Sequence, residues 1–399
     1  MVQNTIPPAQ SSLVYFPGFN GIRFIAASAV VVHHIEQYKT TFGYTDTFTN
    51  VNDHPIVYQA GKLGVALFFV LSGFLITYLL LAERQTAGRI QIGNFYVRRI
   101  LRIWPLYFLL VGLSFFVFPH IPALYIPGVS EHTYENFAQK LTLFALVLPN
   151  FALTLYGEMP LCSHAWSIGV EEQFYLIWPW LIGSRNPRRT LLILLGIALA
   201  LGGWFFWLRY GPGSSAPQAG TTMLLITDFL AHFRIGCMAI GGVGAYLVFK
   251  NHPVLRLLYQ RSVQWVVYAV LGVMLASGIR IPGLNYEGYA VFFVFMLMNL
   301  AHNPNSVVDL ENRLCTFMGK ISYGLYMYHP FAIVLSLYVV RQFLPYGPGF
   351  SIGLYVLSYA LTTLLAWFSY EYFEKQFLKL KDRFAPATAP KPATEAARV

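Results

Sequence analysis

The chain has 399 residues, of which 56% are hydrophobic, 17% aromatic and only 11% charged. So few charged side chains cannot coat a water-facing globule of this size, which excludes a soluble domain, a disordered chain and a disulfide-stapled secreted fold. The net charge of +10 could point to nucleic acid, but most basic residues fall in short connectors between apolar runs, where membrane orientation puts them.

Runs of the roughly 17–25 apolar residues needed to cross a bilayer lie near 21–38, 62–82, 101–119, 165–183, 190–209, 224–249, 262–279, 286–302, 320–341 and 350–372. The expected fold class is all-α: a polytopic membrane helix bundle of about ten transmembrane helices. Residues 1–20 hold no Lys or Arg and no small-residue cleavage site follows the first run, so that run is expected to stay in the mature chain. An eleventh run, 138–157, carries Pro149 and Asn150 at its middle, which disfavours an unbroken helix. If it does not cross, the connectors 83–102, 185–189, 250–261, 303–320 and the tail from 373 share one side and hold 19 Lys and Arg, against six at the opposite ends. The segment near 138–157 is therefore expected to be re-entrant or interfacial, with both termini cytoplasmic. The expected division is a cytoplasmic segment 1–20, one membrane domain 21–375 and a disordered cytoplasmic tail 376–399, rich in Pro and Ala.

Ionisable side chains inside spans are costly and default to functional hypotheses. The first span holds Arg23, His33, His34 and Glu36. The eleven-residue step from Arg23 to His34 is about three helical turns, so the two share a face roughly 16 Å apart along the axis, while His33 points elsewhere. In 166–175, Glu171 and Tyr175 lie one turn apart on one face, with Glu172 rotated away as an acidic first-turn residue. The expected depth of Glu171 is within a few ångströms of His34, and a histidine with a carboxylate neighbour makes an orientable general base. Arg98, Arg99 and Arg102 gather at the mouth of the third span, able to hold anionic phosphates or, more simply, to anchor the helix end. Asp228 and His232, with Arg234 following, form either a neutralised structural network or part of a polar path. His329, preceding Pro330 among aromatics, either packs or lines a polar cavity. Gly241, Gly242 and Gly244 indicate close helix packing rather than a phosphate loop. Cys162, Cys237 and Cys315 have no CxxC spacing and are expected to be small buried apolar residues; no metal site is expected.

Five segments carry a resemblance in their order along the chain. They are Phe19–Arg23 leading to His34, Gly64–Phe74 with Ser72 near its end, Phe95–Pro105, Trp166–Tyr175 and Ser322–Pro330 with Tyr323 and His329. Together, over about residues 15–375, they resemble the membrane-bound acyltransferase 3 family, which includes O-antigen and macrolide O-acyltransferases. The resemblance implies a multi-pass enzyme of the bacterial inner membrane that moves an acyl group, often acetyl, from cytoplasmic acyl-CoA to a hydroxyl of a carbohydrate or macrolide-like acceptor. It implies no permanently bound cofactor, acyl-CoA (acetyl-CoA) being a co-substrate. It further implies that His34 is essential, and the depths argued above then make His34 the catalytic base, oriented by Glu171 or another polar group. Arg23, Arg98, Arg99 and Arg102 are implied to bind the donor. Trp166, Ser167, Tyr175, Ser72, Tyr323, His329 and Asp228 are the expected substrate contacts. Ala66 stands where many members carry Asp, so an acceptor contact from that position is not expected. The competing reading is a proton-coupled transporter or flippase using Asp228, His232 and His34 as a relay; it leaves the arginine cluster unexplained.

Overall fold

The computed structural model describes residues 15–45, 56–184, 186–210, 229, 234–281 and 284–384. Among the described residues the chain is helical, with no strand. The main helices in order are α1 (Phe19–Thr41), α2 (Ile56–Ala87), α3 (Ile92–Phe116), α4 (Phe137–Ala145), α5 (Pro149–Tyr156), α6 (Trp166–Ile182) and α7 (Pro187–Tyr210). After residues 211–233, of which only 229 is described, come α8 (Ile235–Phe249), α9 (Arg261–Ser277), α10 (Asn285–His302), α11 (Arg313–Lys320), α12 (Ser322–Phe343), α13 (Pro348–Ser369) and α14 (Lys375–Lys381), the last two joined by a π-turn at Tyr370–Glu374.

Four described stretches are long and apolar enough to cross a bilayer: Gln59–Ala87, Ile92–His120, Ser322–Phe343 and Pro348–Phe384. The helices at the other expected spans are shorter or carry charge. Helices α8 and α9 have 15 and 17 residues, and α1 contains Arg23, Glu36 and Lys39. Glu36 and Lys39 neutralise each other in a buried pair at 3.2 Å, with Tyr355 donating to Glu36 at 2.6 Å. The segment expected to be re-entrant is two short helices, α4 and α5, of nine and eight residues. At ~1.5 Å per residue neither reaches halfway across a core of about 30 Å. The break falls at Val147, whose φ of 58° is left-handed, an uncommon conformation for a β-branched residue. Asp228, His232 and Arg185 lie outside the described residues.

The hub of the bundle is α2, packed on α1, α8, α10 and α6. Its closest approach, to α8, uses glycine on both sides. A Cβ on Gly73 would fall 2.0 Å from the Met238 carbonyl oxygen, and one on Gly241 would fall 2.1 Å from the Val70 carbonyl oxygen. Lipid supplies no hydrophobic drive between helices, so such backbone-to-backbone contact is how they adhere. Gly61, on α2, leaves room for His33, whose Cβ would lie 2.2 Å from a side chain there. Cys162 and Cys237 are buried as expected, whereas Cys315 is only half-buried, in the first turn of α11.

Candidate active site

Two chambers lie along the face of α1 that carries Arg23 and His34. The first, about 270 Å³, is lined by Arg23 from α1, Ser72 from α2, Arg99 and Arg102 from α3, Ser167, Glu171 and Tyr175 from α6, and Ser322, Tyr323 and Tyr326 from α12, with an aliphatic wall from α2. Three-residue spacing brings Arg99 and Arg102 to one side of α3, as four-residue spacing does for Glu171 and Tyr175 on α6. The Arg23 guanidinium donates to Asn20 Oδ1 at 3.0 Å, one turn back on its own helix. Arg99 lies 5.5 Å from the ring centres of both Phe95 and Tyr175, and its buried Nε has no hydrogen-bond partner among the described residues. Aromatic faces hold a guanidinium without consuming its donors. Ser72 Oγ and the Tyr175 hydroxyl both donate to Glu171 Oε1. Three arginines against one carboxylate leave the chamber cationic.

The second chamber, about 500 Å³, is lined by His33, His34, Tyr38, Lys62, Glu158, His164, Trp166, Arg234, Tyr286 and Tyr326, among others. His34 Nδ1 lies 2.9 Å from the Val30 carbonyl oxygen. A carbonyl only accepts, so this nitrogen carries the ring proton and the lone pair is left on Nε2. The same logic fixes His329, whose Nδ1 is 2.6 Å from the Tyr326 carbonyl. That carbonyl is available because Pro330, four residues on, has no N–H to offer it. The His329 ring is 4.6 Å from that of His34 and 5.0 Å from that of His164, and His33 makes an edge contact with His34 at 4.8 Å. Among the described residues no group of three or more His, Cys, Asp or Glu is placed to hold a metal ion.

Val65 and Tyr326 line both chambers and form the partition between them. The Tyr326 hydroxyl donates to the His164 carbonyl at 2.7 Å and therefore accepts from Ser167 Oγ, also at 2.7 Å. The partition tyrosine is thus pinned to the segment that begins α6.

This arrangement departs from the sequence expectations at several residues. Glu171 does not stand beside His34; its partners are Ser72 and Tyr175 in the arginine chamber, and the backbone of α1 with the ring of His329 holds His34 instead. Arg98 does not face the chamber. It reaches away to Glu83 at 3.1 Å and to the Phe384 carbonyl at 2.7 Å, tying the C-terminal helical segment onto α2 and α3. His329 is 0% exposed and lines neither chamber, so it backs His34 rather than meeting a substrate. Ser72, Ser167, Tyr175 and Tyr323 line the arginine chamber, and only Trp166 of the expected substrate contacts with described positions lines the histidine chamber. Glu172 accepts from Trp104 Nε1 at 3.0 Å, a helix-to-helix tie. His33, expected to point elsewhere, lines the same chamber as His34. His164, which also lines this chamber, lies two residues before the Trp166–Tyr175 segment and carries no spacing signal of its own. A helix wheel could not place it, because it lies in the 3-10 turn Ser163–Ala165 before α6 begins.

A family model for an acyltransferase domain, that of the acyltransferase 3 family, matches residues 16–371. The chain is 26% identical over 389 residues to a candidate O-acetyltransferase of Staphylococcus aureus (strain COL), covering 92% of this chain and 58% of that protein. It is 24% identical over 382 residues to the peptidoglycan O-acetyltransferase OatA of Listeria monocytogenes, covering 92% and 56%. To the O-acetyltransferase OatA of Staphylococcus aureus (strain MRSA252) it is 25% identical over 401 residues, covering 96% and 60%. The chain thus spans rather more than half the length of these relatives, and no solved structure matches it. With a family match over almost all of its length, and four described stretches long and apolar enough to cross a bilayer, the chain belongs to the acyltransferase 3 family.

Proposed function

We propose that this enzyme transfers an acyl group, acetyl in the first instance, from acyl-CoA to a hydroxyl of a carbohydrate, with His34 as general base. The observation that carries this is the pairing of the two chambers. One presents three arginines from two helices; the other presents a histidine whose tautomer leaves Nε2 basic; a valine and a tyrosine separate them. Arginine forks suit the phosphates of CoA, and the extended pantetheine arm carries the thioester past Val65 and Tyr326 toward His34. His34 Nε2 takes the proton from the acceptor hydroxyl while the oxygen attacks the thioester carbonyl. The C–S bond then breaks, and the imidazolium returns the proton to the departing sulfur, giving an ester and a free thiol. In this reading the arginine chamber faces the cytoplasm, both termini are cytoplasmic, about ten helices cross a bacterial inner membrane, and the acceptor enters from the other side. The relatives named for O-acetylation, one of them of peptidoglycan, support a glycan acceptor.

The test is purified protein in detergent with labelled acetyl-CoA and a panel of oligosaccharides. Labelled ester is expected with no ion gradient present. A protein that forms none with any acceptor, or that needs a gradient, is not working this way.

The arginines should separate by role. Arg102→Ala is expected to raise the donor KM by roughly tenfold or more, the scale of one charge-assisted contact. Arg98→Ala is expected instead to lower thermal stability by about 1–3 kcal/mol, because Glu83 and the Phe384 carbonyl lose a partner. Steady-state kinetics and thermal unfolding on both variants check the split; equal effects on KM would return Arg98 to the donor site.

A further inference from the structure

The histidine chamber contains a cationic corner that base catalysis does not require. Arg234 precedes α8 with a left-handed φ of 31°, held there as its guanidinium donates to the Lys62 carbonyl at 3.1 Å. The guanidinium lies 3.6 Å from the ring centre of Tyr286 and 5.4 Å from that of Trp166. Arg234 is 8% exposed, and its buried Nε has no partner among the described residues. Lys62 stands exposed at the rim of the same chamber. Neither cation forms an ion pair among the described residues. Arg234 and Arg280, both positive, act on Lys62. Glu287, in the first turn of α10, acts on Arg234 without reaching ion-pair distance. Glu158 also lines the chamber, and its charge acts on Tyr38.

A buried guanidinium fixed by aromatic faces, with donors left over and a second cation nearby, is built for an anion. Two aromatic rings beside it offer the flat apolar faces on which a sugar ring stacks. We infer that the acceptor is an acidic carbohydrate, whose carboxylate or phosphate is held by Arg234 with help from Lys62 while a hydroxyl of the same molecule lies against His34. This rests on the transfer reading above and narrows its acceptor to anionic sugars, making Arg234 and Lys62 specificity determinants.

The experiment is calorimetric titration of the purified full chain, at low salt, with a hexuronic acid trisaccharide, its neutral methyl ester, glucose 1-phosphate and glucose. The acid is expected to bind roughly tenfold or more tightly than the ester, and the gap to close in Arg234→Gln and shrink in Lys62→Gln. The second variant alters an exposed rim residue, so it carries the test even if the first fails to fold. A preference for glucose 1-phosphate over glucose that exceeds the acid-to-ester gap supports the site with phosphate as its anion. Equal binding of charged and neutral sugars, no binding by either acid, or a preference that survives in Lys62→Gln and in folded Arg234→Gln would overturn the inference. Binding is read without turnover. A chain that prefers the acid yet forms no ester therefore sinks the transfer reading alone, and ester formed on neutral and acidic sugars with equal affinity sinks this one alone.

Discussion

His34→Ala should lower the rate of acyl transfer by about 10²–10⁴-fold, the usual contribution of a positioned general base, while the protein inserts and accumulates as before. The ring lies half-buried against a chamber, and its hydrogen bond is to a carbonyl of its own helix, so its loss removes little packing. Donor KM should hardly move, because the arginine chamber lies on the far side of Val65 and Tyr326. A fall confined to kcat is the signature of a group that acts in the transition state. Abundance by immunoblot and single-turnover transfer from labelled acetyl-CoA measure the two halves of this expectation. Wild-type turnover in the purified variant would remove the imidazole from the chemistry.

The second large effect is on the fold itself. Gly73→Val and Gly241→Val should each destabilise the bundle by roughly 3 kcal/mol or more, at the upper end for overpacking. In both cases the obstructing atom is a backbone carbonyl on the facing helix, at 2.0 and 2.1 Å, and a carbonyl cannot rotate away as a side chain can. Helices α2 and α8 would have to part, and with them the wall that carries Ser72 and the helix end that carries Arg234. Gly112→Ala and Gly272→Ala are the matched controls: nothing lies within 4 Å of either position. Both sit inside helices, where alanine is the better former by about 0.5–1 kcal/mol. Thermal unfolding in detergent of all four variants checks the contrast. A Gly73→Val protein that melts with the wild type would mean that α2 and α8 are not in contact there.

Much of this was legible in the sequence because it depends on period alone. The eleven-residue step from Arg23 to His34 puts both on one face whatever surrounds the helix, and each does line a chamber on that face. Gly241 and Gly244 announce close packing because a missing side chain matters only where something is near. What the sequence hid are the partners supplied from far along the chain. Arg98 looks like its neighbours Arg99 and Arg102 until the Phe384 carbonyl, 286 residues away, is found to hold it. Glu171 looked like a companion for His34 on depth alone, and depth does not encode which way the facing helices turn. His164 and His329 converge on His34 through two segments that no spacing rule connects. From sequence, His329 and Pro330 fit packing or a cavity lining equally; it is the missing amide hydrogen of Pro330 that frees the carbonyl setting that ring.

The division of the interior by Val65 and Tyr326 bears on how turnover is ordered. In the transfer reading proposed above, donor and acceptor occupy different chambers, so neither has to leave to let the other in, and random-order loading is the expected kinetics. In that reading a spent carrier would be exchanged on one side of the partition while the acceptor stays docked on the other, a layout suited to successive transfers onto one acceptor.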